Sequence, residues 1–541
     1  MPTDCISFSE TNYFLPLIND YLDEKEELKP FYHRFPKLEN FKLQLEEKGT
    51  SFNDSASGEN DKRATLVKVL QKQYSHLEVS EGTAKNIASL AENNTFTITT
   101  GHQLNLFTGP LYFLYKIIST INLTSELKEK YPDYNFVPIY WMATEDHDLE
   151  EINFFNLHGK KFQWNPPKSE KDGGAVGELP TEGLEEVLKL FSAEIGSSQK
   201  AEKLKKLFET AYLKHSNLTD ATRYLANELF KDHGLVIIDA HERELKRFFI
   251  PYMKEELLSQ RSHATTLPKA EALAEMGYGV QVNPREINLF FLAEGLRERI
   301  KERNGRYFVH DTEISWSREE MLDLLEKEPE KFSPNVILRP LYEEMILPNL
   351  CYIGGGGELA YWFELKDYFE AVDIPFPILL LRNSALIQTE KQDEKRQKLN
   401  ISNKELFLKQ HELINKKVRQ ISNIDIDFGP QKEHLVEQFQ KMYELAEKTD
   451  KSFLGAVKAQ EVKQLKGLDN LEKRLLKAQK RKLEDEVMRI TDLQNELFPN
   501  QSLQERHHNF AEFYLEYGDD FIAELFRELQ PLDHNFKIIS F

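Results

Sequence analysis

Two strand-like segments that flank a long amphipathic helix constrain the fold of this chain more than any other feature. The first is the β-rich run Thr95 to Thr99, and the second is the nearly continuous apolar run Phe136 to Ala143. Between them, apolar residues recur at helical spacing, at Leu111, Leu114, Tyr115, Ile118 and Ile121. A strand that is apolar without alternation is typical of a parallel sheet covered on both faces. The pattern therefore predicts a strand–helix–strand unit within an α/β core.

The polar turn between the first strand and the helix is a candidate anion site. It contains Gly101, Thr108 and Gly109, and Pro110 follows at the predicted helix start. The first N–H groups of a helix lack partners and favour anions, and glycine lets the backbone approach a ligand. The spacing matches neither the dinucleotide fingerprint nor the Walker A motif, and strand–glycine–helix turns without a ligand are at least as common.

An acidic group with one histidine follows the second strand. Asp146, His147 and Asp148 stand between Glu145 and Glu151 and could bind a metal or transfer protons. Ligand sites in parallel sheets lie outside the carboxyl ends of the strands, so we expect this cluster and the polar turn to share one crevice. The alternative is a helix N-terminus that acidic residues stabilise. A zinc site is disfavoured because neither H-E-x-x-H nor a nearby thiolate is present.

Isolated polar residues add further candidates. His102, in the polar turn, could act as an acid, as a base or as a hydrogen-bond donor to a phosphate group. A lone loop histidine is, however, more often simply hydrogen-bonded. Arg339 and Arg382 follow predicted strands and could each hold a carboxylate or phosphate, or pair with a buried acid.

Four consecutive glycines mark a second candidate loop. Gly354, Gly355, Gly356 and Gly357 separate a short strand, Leu350 to Ile353, from an aromatic helix start. Four glycines cost backbone entropy on folding, which favours a ligand-facing loop over a close backbone crossing. Cys351 lies in the apolar strand and is interpreted as a core residue.

More strands are predicted beyond the first unit. The candidate segments are Leu235–Asp239, Ile287–Phe291, Val336–Arg339 and Pro377–Leu381. They extend the core to residue 383, so we assign residues 1–383 to a Rossmann-like parallel-sheet core with a helical N-terminal region and connecting insertions. Residues 51–58 and 160–177 are predicted to be loops.

The composition changes after residue 383. Lys, Glu, Gln and Leu dominate, and apolar residues spaced mostly by three and four form a seam at Leu468, Leu471, Leu475, Ala478, Leu483, Val487, Ile490 and Leu497. We assign residues 384–541 to an α-helical coiled-coil domain, whose final segment, 504–541, is rich in aromatic residues and packs on the core. Because Phe428-Gly429-Pro430 interrupts the helical pattern, a helix hairpin is expected. The seam pairs inside the chain, across a dimer, or both.

Charge and composition exclude several classes of protein. A formal net charge of −20 disfavours nucleic acid as a partner. There is no apolar run long enough to span a membrane and no signal peptide, so a soluble cytoplasmic protein is expected. The two cysteines provide neither a disulfide framework nor a thiolate metal site.

The motifs together resemble a known family. The segments Thr99–Gln103 with Phe107–Pro110, Trp141–Asp148, Arg339-Pro340 and Gly354–Trp362 are similar, in order and spacing, to the signatures of the bacillithiol biosynthesis enzyme BshC family. The resemblance covers nearly the whole chain. His102 departs from it, since the family motif usually has Gln at this position, and the histidine-rich signature of class I aminoacyl-tRNA synthetases is missing from the turn.

The resemblance implies a Rossmann-type core related to those synthetases and a coiled coil used in dimerisation. It also implies a cysteine ligase that joins L-cysteine to the amine of glucosaminyl-malate, with ATP, and Mg²⁺ alongside it, activating the carboxylate. The alternatives are a nucleotidyltransferase acting on a small metabolite and a non-catalytic coiled-coil assembly protein.

We assign the predicted site residues to three roles. The catalytic candidates are Asp146, His147, Asp148 and His102. The substrate-binding candidates are Gln103, Arg339, Glu358, Tyr361, Trp362 and Arg382. The nucleotide-binding candidates are Gly101, Thr108, Gly109, Gly354, Gly355, Gly356 and Gly357; no dedicated protein metal site is assigned.

Overall fold

The computed structural model describes residues 3–53, 61–168, 172–449 and 451–541. In chain order the strands are β1 (Thr3–Ser7), β2 (Thr95–His102), β3 (Asn135–Met142), β4 (Phe154–Leu157), β5 (Lys160–Gln163), β6 (Val236–Asp239), β7 (Leu289–Ala293), β8 (Leu296–Arg303), β9 (Arg306–Val309), β10 (Ser315–Ser317), β11 (Phe332–Pro334), β12 (Asn349–Gly354), β13 (Ile378–Leu381), β14 (Ala385–Gln388) and β15 (Asn535–Ser540).

A five-stranded parallel sheet forms the centre of the molecule. Its order is β13–β12–β2–β3–β6, and each neighbouring pair is parallel. Thr95 lies opposite Asn135 and His102 opposite Met142, so β2 and β3 end at the same edge. The predicted strand–helix–strand unit and the Rossmann-like parallel core are confirmed.

Helices cover both faces of this sheet and fill the N-terminal region. They are α1 (Phe8–Thr11), α2 (Pro16–Leu22), α3 (Asn40–Asn53), α4 (Lys62–Gln73), α5 (Glu81–Ser89), α6 (Tyr112–Lys130), α7 (Leu149–Ile152), α8 (Leu184–Ile195), α9 (Gln199–Leu213), α10 (Leu218–Phe230), α11 (Arg243–Lys246), α12 (Ile250–Ser259), α13 (Arg261–Glu275), α14 (Arg318–Lys327), α15 (Arg339–Ile346), α16 (Gly356–Trp362) and α17 (Lys366–Ala371). Successive strand residues point to opposite faces, so Phe136 joins one apolar cluster while Val137 and Ile139 join another. Burial on both faces explains the unbroken apolar sequence of β3.

An antiparallel sheet with the order β10–β9–β8–β7–β11 is inserted between β6 and β12. The predicted strand at Ile287–Phe291 corresponds to β7, which belongs to this sheet and not to the parallel core. The strand predicted at Val336–Arg339 is wrong, because α15 begins at Arg339. The side-chain oxygen of Asn335 accepts hydrogen bonds from the backbone N–H groups of Ile337 and Leu338 and turns the chain into that helix.

A third sheet, β1–β15–β14, joins the two ends of the chain. The helices after β14 are α18 (Glu390–Lys398), α19 (Asn403–Leu406), α20 (Gln410–Ile421), α21 (Gly429–Ala446), α22 (Lys451–Lys482), α23 (Glu484–Leu497), α24 (Phe510–Tyr517) and α25 (Asp519–Glu528). After α23 the chain returns to the core, where the Leu111 N–H donates to the His508 carbonyl and Asn509 binds the turn after β2.

The long helices confirm the coiled-coil domain, and α21 and α22 form a hairpin. Phe439, Ala446 and Val457 make a small apolar core between them. In the predicted seam, Ile490 and Leu497 are buried inside the chain, whereas Leu471 is 53% exposed. At least the second half of the seam therefore pairs within one protomer.

Two predicted loops lie partly outside the described residues. Of residues 51–58, only 51–53 are described, and they end α3. Of residues 160–177, positions 169–171 are not described, and 160–163 form β5 in a two-stranded hairpin with β4. Among the residues that the structure describes, no helix is both long and apolar enough to cross a bilayer.

Candidate active site

A cavity of about 710 Å³ opens at the carboxyl ends of β3 and β6. This is the edge at which parallel sheets bind ligands. Its walls come from the segment after β3, from Ala240 and His241 after β6, and from the antiparallel sheet and the start of α15. The lining includes Trp141–Asp148, His241, Gln281–Asn283, Phe290, Arg297–Arg299, Pro334–Val336, Arg339 and Tyr342.

Asp146 is fixed at this cavity in its ionised form. One carboxylate oxygen accepts a hydrogen bond from Gln103 Nε2 (2.9 Å), and the other accepts the backbone N–H of His147 (2.7 Å). Burial opposes ionisation, but hydrogen bonds from His147 and Gln103 and the charge of Arg297 hold the pKa of Asp146 well below its usual range. Gln103 also donates to Glu151 (3.0 Å), so the predicted polar turn and the acidic cluster meet at this glutamine.

His147 lies between Asp146 and Arg297. Its Nδ1 accepts a hydrogen bond from Arg297 Nη1 (2.8 Å), so the neutral ring carries its hydrogen on Nε2. Hydrogen bonding to Asp146 raises the pKa of His147, and the Arg297 guanidinium opposes that shift. Asp146, His147 and Asp148 each offer one ligand atom, and these atoms lie within 4.8 Å of one another.

Glu145 points away from this cluster into a buried network. Its carboxylate accepts hydrogen bonds from His241 Nδ1 (2.9 Å) and Ser333 Oγ (2.8 Å) and pairs with Lys246 Nζ (2.5 Å). Burial alone would raise the pKa of Glu145, but Lys246 and His241 lower it to about 2. The chain therefore carries a charged acid beneath the floor of the cavity.

A second cavity, of about 440 Å³, lies beside the first at the ends of β2 and β12. Val336 lines both cavities, and the Gln103–Asp146 hydrogen bond spans from one to the other. The lining residues are His102, Gln103, Tyr112, Lys116, Val336, Gly355–Glu358, Arg382 and Arg506. Three of these are cationic, which favours an anionic occupant.

His102, the last residue of β2, is 6% exposed and uncharged at neutral pH. Burial and the charge of Lys116 lower its pKa to about 3. Nδ1 lies 2.8 Å from the Gln103 carbonyl and therefore carries the hydrogen. Nε2 is buried and has no hydrogen-bond partner in the described part of the chain.

Glu358 fixes the glycine loop against α6. It pairs with Lys116 (2.6 Å) and accepts hydrogen bonds from the Gly355 N–H (2.8 Å) and the Tyr352 hydroxyl (2.9 Å). Burial opposes ionisation, but Lys116 lowers the pKa of Glu358. Lys116 in turn donates a hydrogen bond to the Gly101 carbonyl (2.7 Å). Gly101 therefore takes part through its backbone carbonyl and not by leaving room for a ligand.

The two predicted arginines have different surroundings. Arg339 donates to Glu343 (2.8 Å) and to the Tyr361 hydroxyl (2.8 Å) and lines the first cavity. Arg382 pairs with buried Glu505 (2.7 Å), the structural alternative foreseen for it, and also lines the second cavity. Its Nε is buried without a partner among the described residues.

Six predicted site residues line neither cavity in the described structure: Gly101, Thr108, Gly109, Gly354, Tyr361 and Trp362. Thr108 and Gly109 belong to a buried turn whose carbonyls accept hydrogen bonds from Asn509. Gly354 ends β12, where an added Cβ would lie 2.9 Å from the Tyr352 ring. Trp362 is fully buried and packs on Tyr352, Phe369 and Phe376.

Sequence reasoning missed His241, Arg297, Lys116 and Arg506. His241 could have been found, because it follows the predicted strand at 235–239 as Asp146 follows the earlier one. Arg297 comes from the antiparallel sheet and Arg506 from the C-terminal region, and no local pattern indicates that either reaches the cavities.

Two family models match successive parts of the chain. Residues 1–383 match the family described as "Bacillithiol biosynthesis BshC, N-terminal Rossmann-like domain", and residues 385–541 match "Bacillithiol biosynthesis BshC, C-terminal coiled-coil domain".

Relatives match along the full length. A Christiangramia forsetii protein is 66% identical over 541 residues, covering 100% of this chain and 99% of the relative. A Flavobacterium johnsoniae protein is 61% identical and covers 100% of both chains, and one from Lysinibacillus sphaericus is 30% identical over 86% of this chain and 88% of its own. All three carry the name "Putative cysteine ligase BshC". The chain belongs to the bacillithiol biosynthesis BshC family.

Proposed function

We propose that this protein is a cysteine ligase of bacillithiol biosynthesis that joins the carboxyl group of L-cysteine to the amine of glucosaminyl-malate. Its family and the names of its relatives support the ligase class. An amide does not form readily from a free carboxylate and an amine in water, so the reaction needs an activated acyl group.

The observation that carries the proposal is the pair of adjoining cavities at one edge of the sheet. The first has acidic residues and two histidines, Asp146, His147, Asp148 and His241, which suit a protonated amine. The second has Lys116, Arg382 and Arg506, which suit an anion. Gln103 connects them, so an amine in one cavity would lie beside an anionic acyl donor in the other.

ATP would supply the activation by converting the cysteine carboxylate to a mixed anhydride with a phosphoryl group, either an acyl-adenylate or an acyl-phosphate. The second cavity fits its phosphates, since the N–H donor Arg382 Nε is buried there without a partner among the described residues, and Lys116 and Arg506 also line it. Gly355 and Gly357 would leave room for the nucleotide. Asp146 and Asp148 offer the oxygen ligands that an accompanying Mg²⁺ prefers.

The remaining groups would bind and orient the amine substrate. Where Asp146 and Asp148 do not hold Mg²⁺, they would accept hydrogen bonds from the ammonium group, and the Nε2 hydrogen of His147 would bind a hydroxyl or carbonyl oxygen. Arg339, held by Glu343 and Tyr361, would bind the malyl carboxylate with its remaining donors.

Product analysis tests this function. Purified protein with cysteine, glucosaminyl-malate and ATP should form bacillithiol, and release of AMP would indicate an acyl-adenylate whereas ADP would indicate an acyl-phosphate. A nucleotidylated metabolite without an amide would support a nucleotidyltransferase instead. Absence of any product or nucleotide turnover would contradict an enzymatic role.

We also propose a cytoplasmic homodimer that uses the α21–α22 hairpin. The cytosol keeps substrate thiols reduced. Large apolar side chains remain exposed on this hairpin, including Leu445 (62%) and Val462 (58%). Replacing both with Asp should reduce the mass measured by light scattering to that of one chain. Ile490 is unsuitable for this test because it is buried within the protomer.

A further inference from the structure

His241 lies on the wall of the first cavity at the carboxyl end of β6. Its backbone N–H donates to Asp239 (3.0 Å), whose carboxylate also accepts the Thr144 hydroxyl (2.6 Å). The side chain is 28% exposed and lines the cavity. The end of β6 therefore fixes His241 across the cavity floor from the segment after β3.

Buried Glu145 selects the tautomer of this histidine. Glu145 is ionised, so it accepts a hydrogen from Nδ1 of His241 at 2.9 Å. The neutral ring then has its lone pair on Nε2, on the side of the ring away from Glu145. Lys246, which is 0% exposed, pairs at 2.5 Å with the same Glu145 oxygen, and the Ser333 hydroxyl donates to the other oxygen at 2.8 Å, so the carboxylate is held in place.

The charged groups around His241 are Glu145, Asp239, Lys246 and Glu178, whose carboxylate is 3.9 Å from Nε2. Burial alone would lower the pKa of His241, but hydrogen bonding to Glu145 and its charge outweigh burial and raise it. Nε2 is therefore more basic than in an ordinary histidine.

The two other histidines that line the cavities are less suited to accept a proton. The lone pair of neutral His147 is on Nδ1, where it accepts the hydrogen bond from Arg297, so a proton could add there only by displacing that bond. His102 is a weak base, because burial lowers its pKa to about 3. His241, which lines the first cavity and has its lone pair on Nε2, 3.9 Å from the Glu178 carboxylate, is thus left as the candidate base.

We propose that His241 is the general base of the ligase and that Glu145 is its positioning residue. This assignment rests on the ligase function proposed above. Nε2 of His241 takes one proton from the bound ammonium group, which frees the nitrogen lone pair. The amine nitrogen then attacks the activated carboxyl carbon, the C–N bond forms, and the C–O bond to the phosphoryl group breaks with its electron pair leaving on the phosphoryl oxygen. The second proton, which the nitrogen loses as the neutral amide forms, leaves with the phosphate product.

The test uses His241→Ala, with His310→Ala as the matched control. His310 is also 28% exposed and lies 3.0 Å from a carboxylate, that of Asp311, but lines neither cavity. Amide formation is followed as a function of pH. Cysteine-dependent release of pyrophosphate or ADP, the first product of the acyl-adenylate or the acyl-phosphate route, is measured separately without the amine, in a single turnover.

We expect His241→Ala to lower the rate of amide formation by about 100-fold or more while the release of pyrophosphate or ADP in the activation step changes little. The pH profile of this variant should lack the decline in rate at acid pH that protonation of His241 causes in the wild type. Added imidazole should restore part of the lost rate. The control should retain the wild-type rate and pH profile.

A second variant tests the positioning role. Glu145→Gln alone would leave Lys246 buried and unpaired, so Glu145→Gln is combined with Lys246→Met. Because the carboxylate that raises the pKa of His241 is then gone, the acid-side decline in rate should move to lower pH. An unmoved decline would overturn the role of Glu145.

The outcomes separate this inference from the proposed function. If wild-type protein forms no amide, the ligase function fails and the base assignment fails with it. If wild type is active, the assignment alone is overturned by a His241→Ala variant that retains rate and pH profile. It is also overturned if His241→Ala loses the activation step together with amide formation, or if added imidazole does not restore any of the lost rate of amide formation.

Discussion

The ends of β2 and β3 lie side by side on one sheet edge but have opposite surroundings. After β2, Gln103 lines the second cavity, but the chain then continues through Leu104, Leu106 and Phe107, which are buried, with the Phe107 ring packed against several aromatic residues. After β3 it continues through Thr144–Asp148, which lines the first cavity. The strand-end rule locates the edge where ligands bind, and the polarity of the following residues decides which loop reaches the ligand.

The buried turn after β2 is held by other parts of the chain. Phe107 and Thr108 have positive φ angles of 48° and 68°, which are unfavourable for these residue types. Tyr212 accepts the Phe107 N–H (2.7 Å), and Asn509 donates to the Phe107 and Gly109 carbonyls at 2.7 and 2.6 Å. The turn therefore serves to attach the C-terminal segment to the core, whereas the segment after β3 is available for chemistry.

The largest effect is expected from the polar strand end. Asp146→Asn combined with His147→Ala removes the fixed carboxylate and the imidazole from the first cavity, and should lower bacillithiol formation by at least about 100-fold. The thermal midpoint should change little, because the cluster is partly exposed. A large drop in that midpoint with a proportionate loss of activity would show that the segment after β3 stabilises the fold, as the turn after β2 does, and is not part of an active site.

A smaller effect, on stability, is expected at the apolar strand end. Gly109 has φ +62°, and an added Cβ would lie 2.7 Å from Asn105 Cβ. Gly159 also has a positive φ, +71°, but nothing within 4 Å, so Gly159→Ala is a control for a positive φ without a clash. Gly109→Ala should cost about 1–3 kcal/mol more than this control, as overpacking does. Thermal melts of both variants check the difference, and equal midpoints would show that the turn can relax.

The glycine loop after β12 provides the third and smallest contrast. A Cβ at Gly355 would lie 3.8 Å from Arg382 Nε, within the second cavity, whereas one at Gly356 would meet Ile18 at 3.4 Å. Gly355→Val should weaken nucleotide binding about tenfold, equivalent to 1.4 kcal/mol, with little change in melting. Gly356→Val, its control, should lower the melting temperature more. If calorimetric titration finds that Gly355→Val binds nucleotide with unchanged affinity, the glycines serve close packing of the backbone and do not contact the ligand.

The central fold was predictable because its signals are local. The unbroken apolar run at 136–143 and the helical spacing from Leu111 to Ile121 each reflect burial of that same segment. The antiparallel sheet was harder to predict, because β8 consists mostly of charged residues that are half-buried and so lacks the alternation of apolar and polar residues that indicates a strand. Val336–Leu338 are apolar as a strand would be, and only the hydrogen bonds of Asn335 distinguish the turn.

The candidate site was predictable only where its residues follow predicted strands. The segment Asp146–Asp148 was found in this way, and both cavities include predicted residues. The partners that give those residues their chemistry are distant in sequence: Glu145 meets His241, 96 positions away, and Arg382 meets Glu505, 123 positions away. Such pairings depend on the tertiary fold, and so neither spacing nor composition indicates them.

A crystal structure of the protein with glucosaminyl-malate and a non-hydrolysable ATP analogue tests the central claim most directly. We predict the amine of glucosaminyl-malate in the first cavity, within hydrogen-bond reach of Asp146 and His241, and the phosphates beside Arg382 and the Gly355–Gly357 loop. Ligand density against the turn at residues 104–109, with both cavities containing only water, would contradict the account.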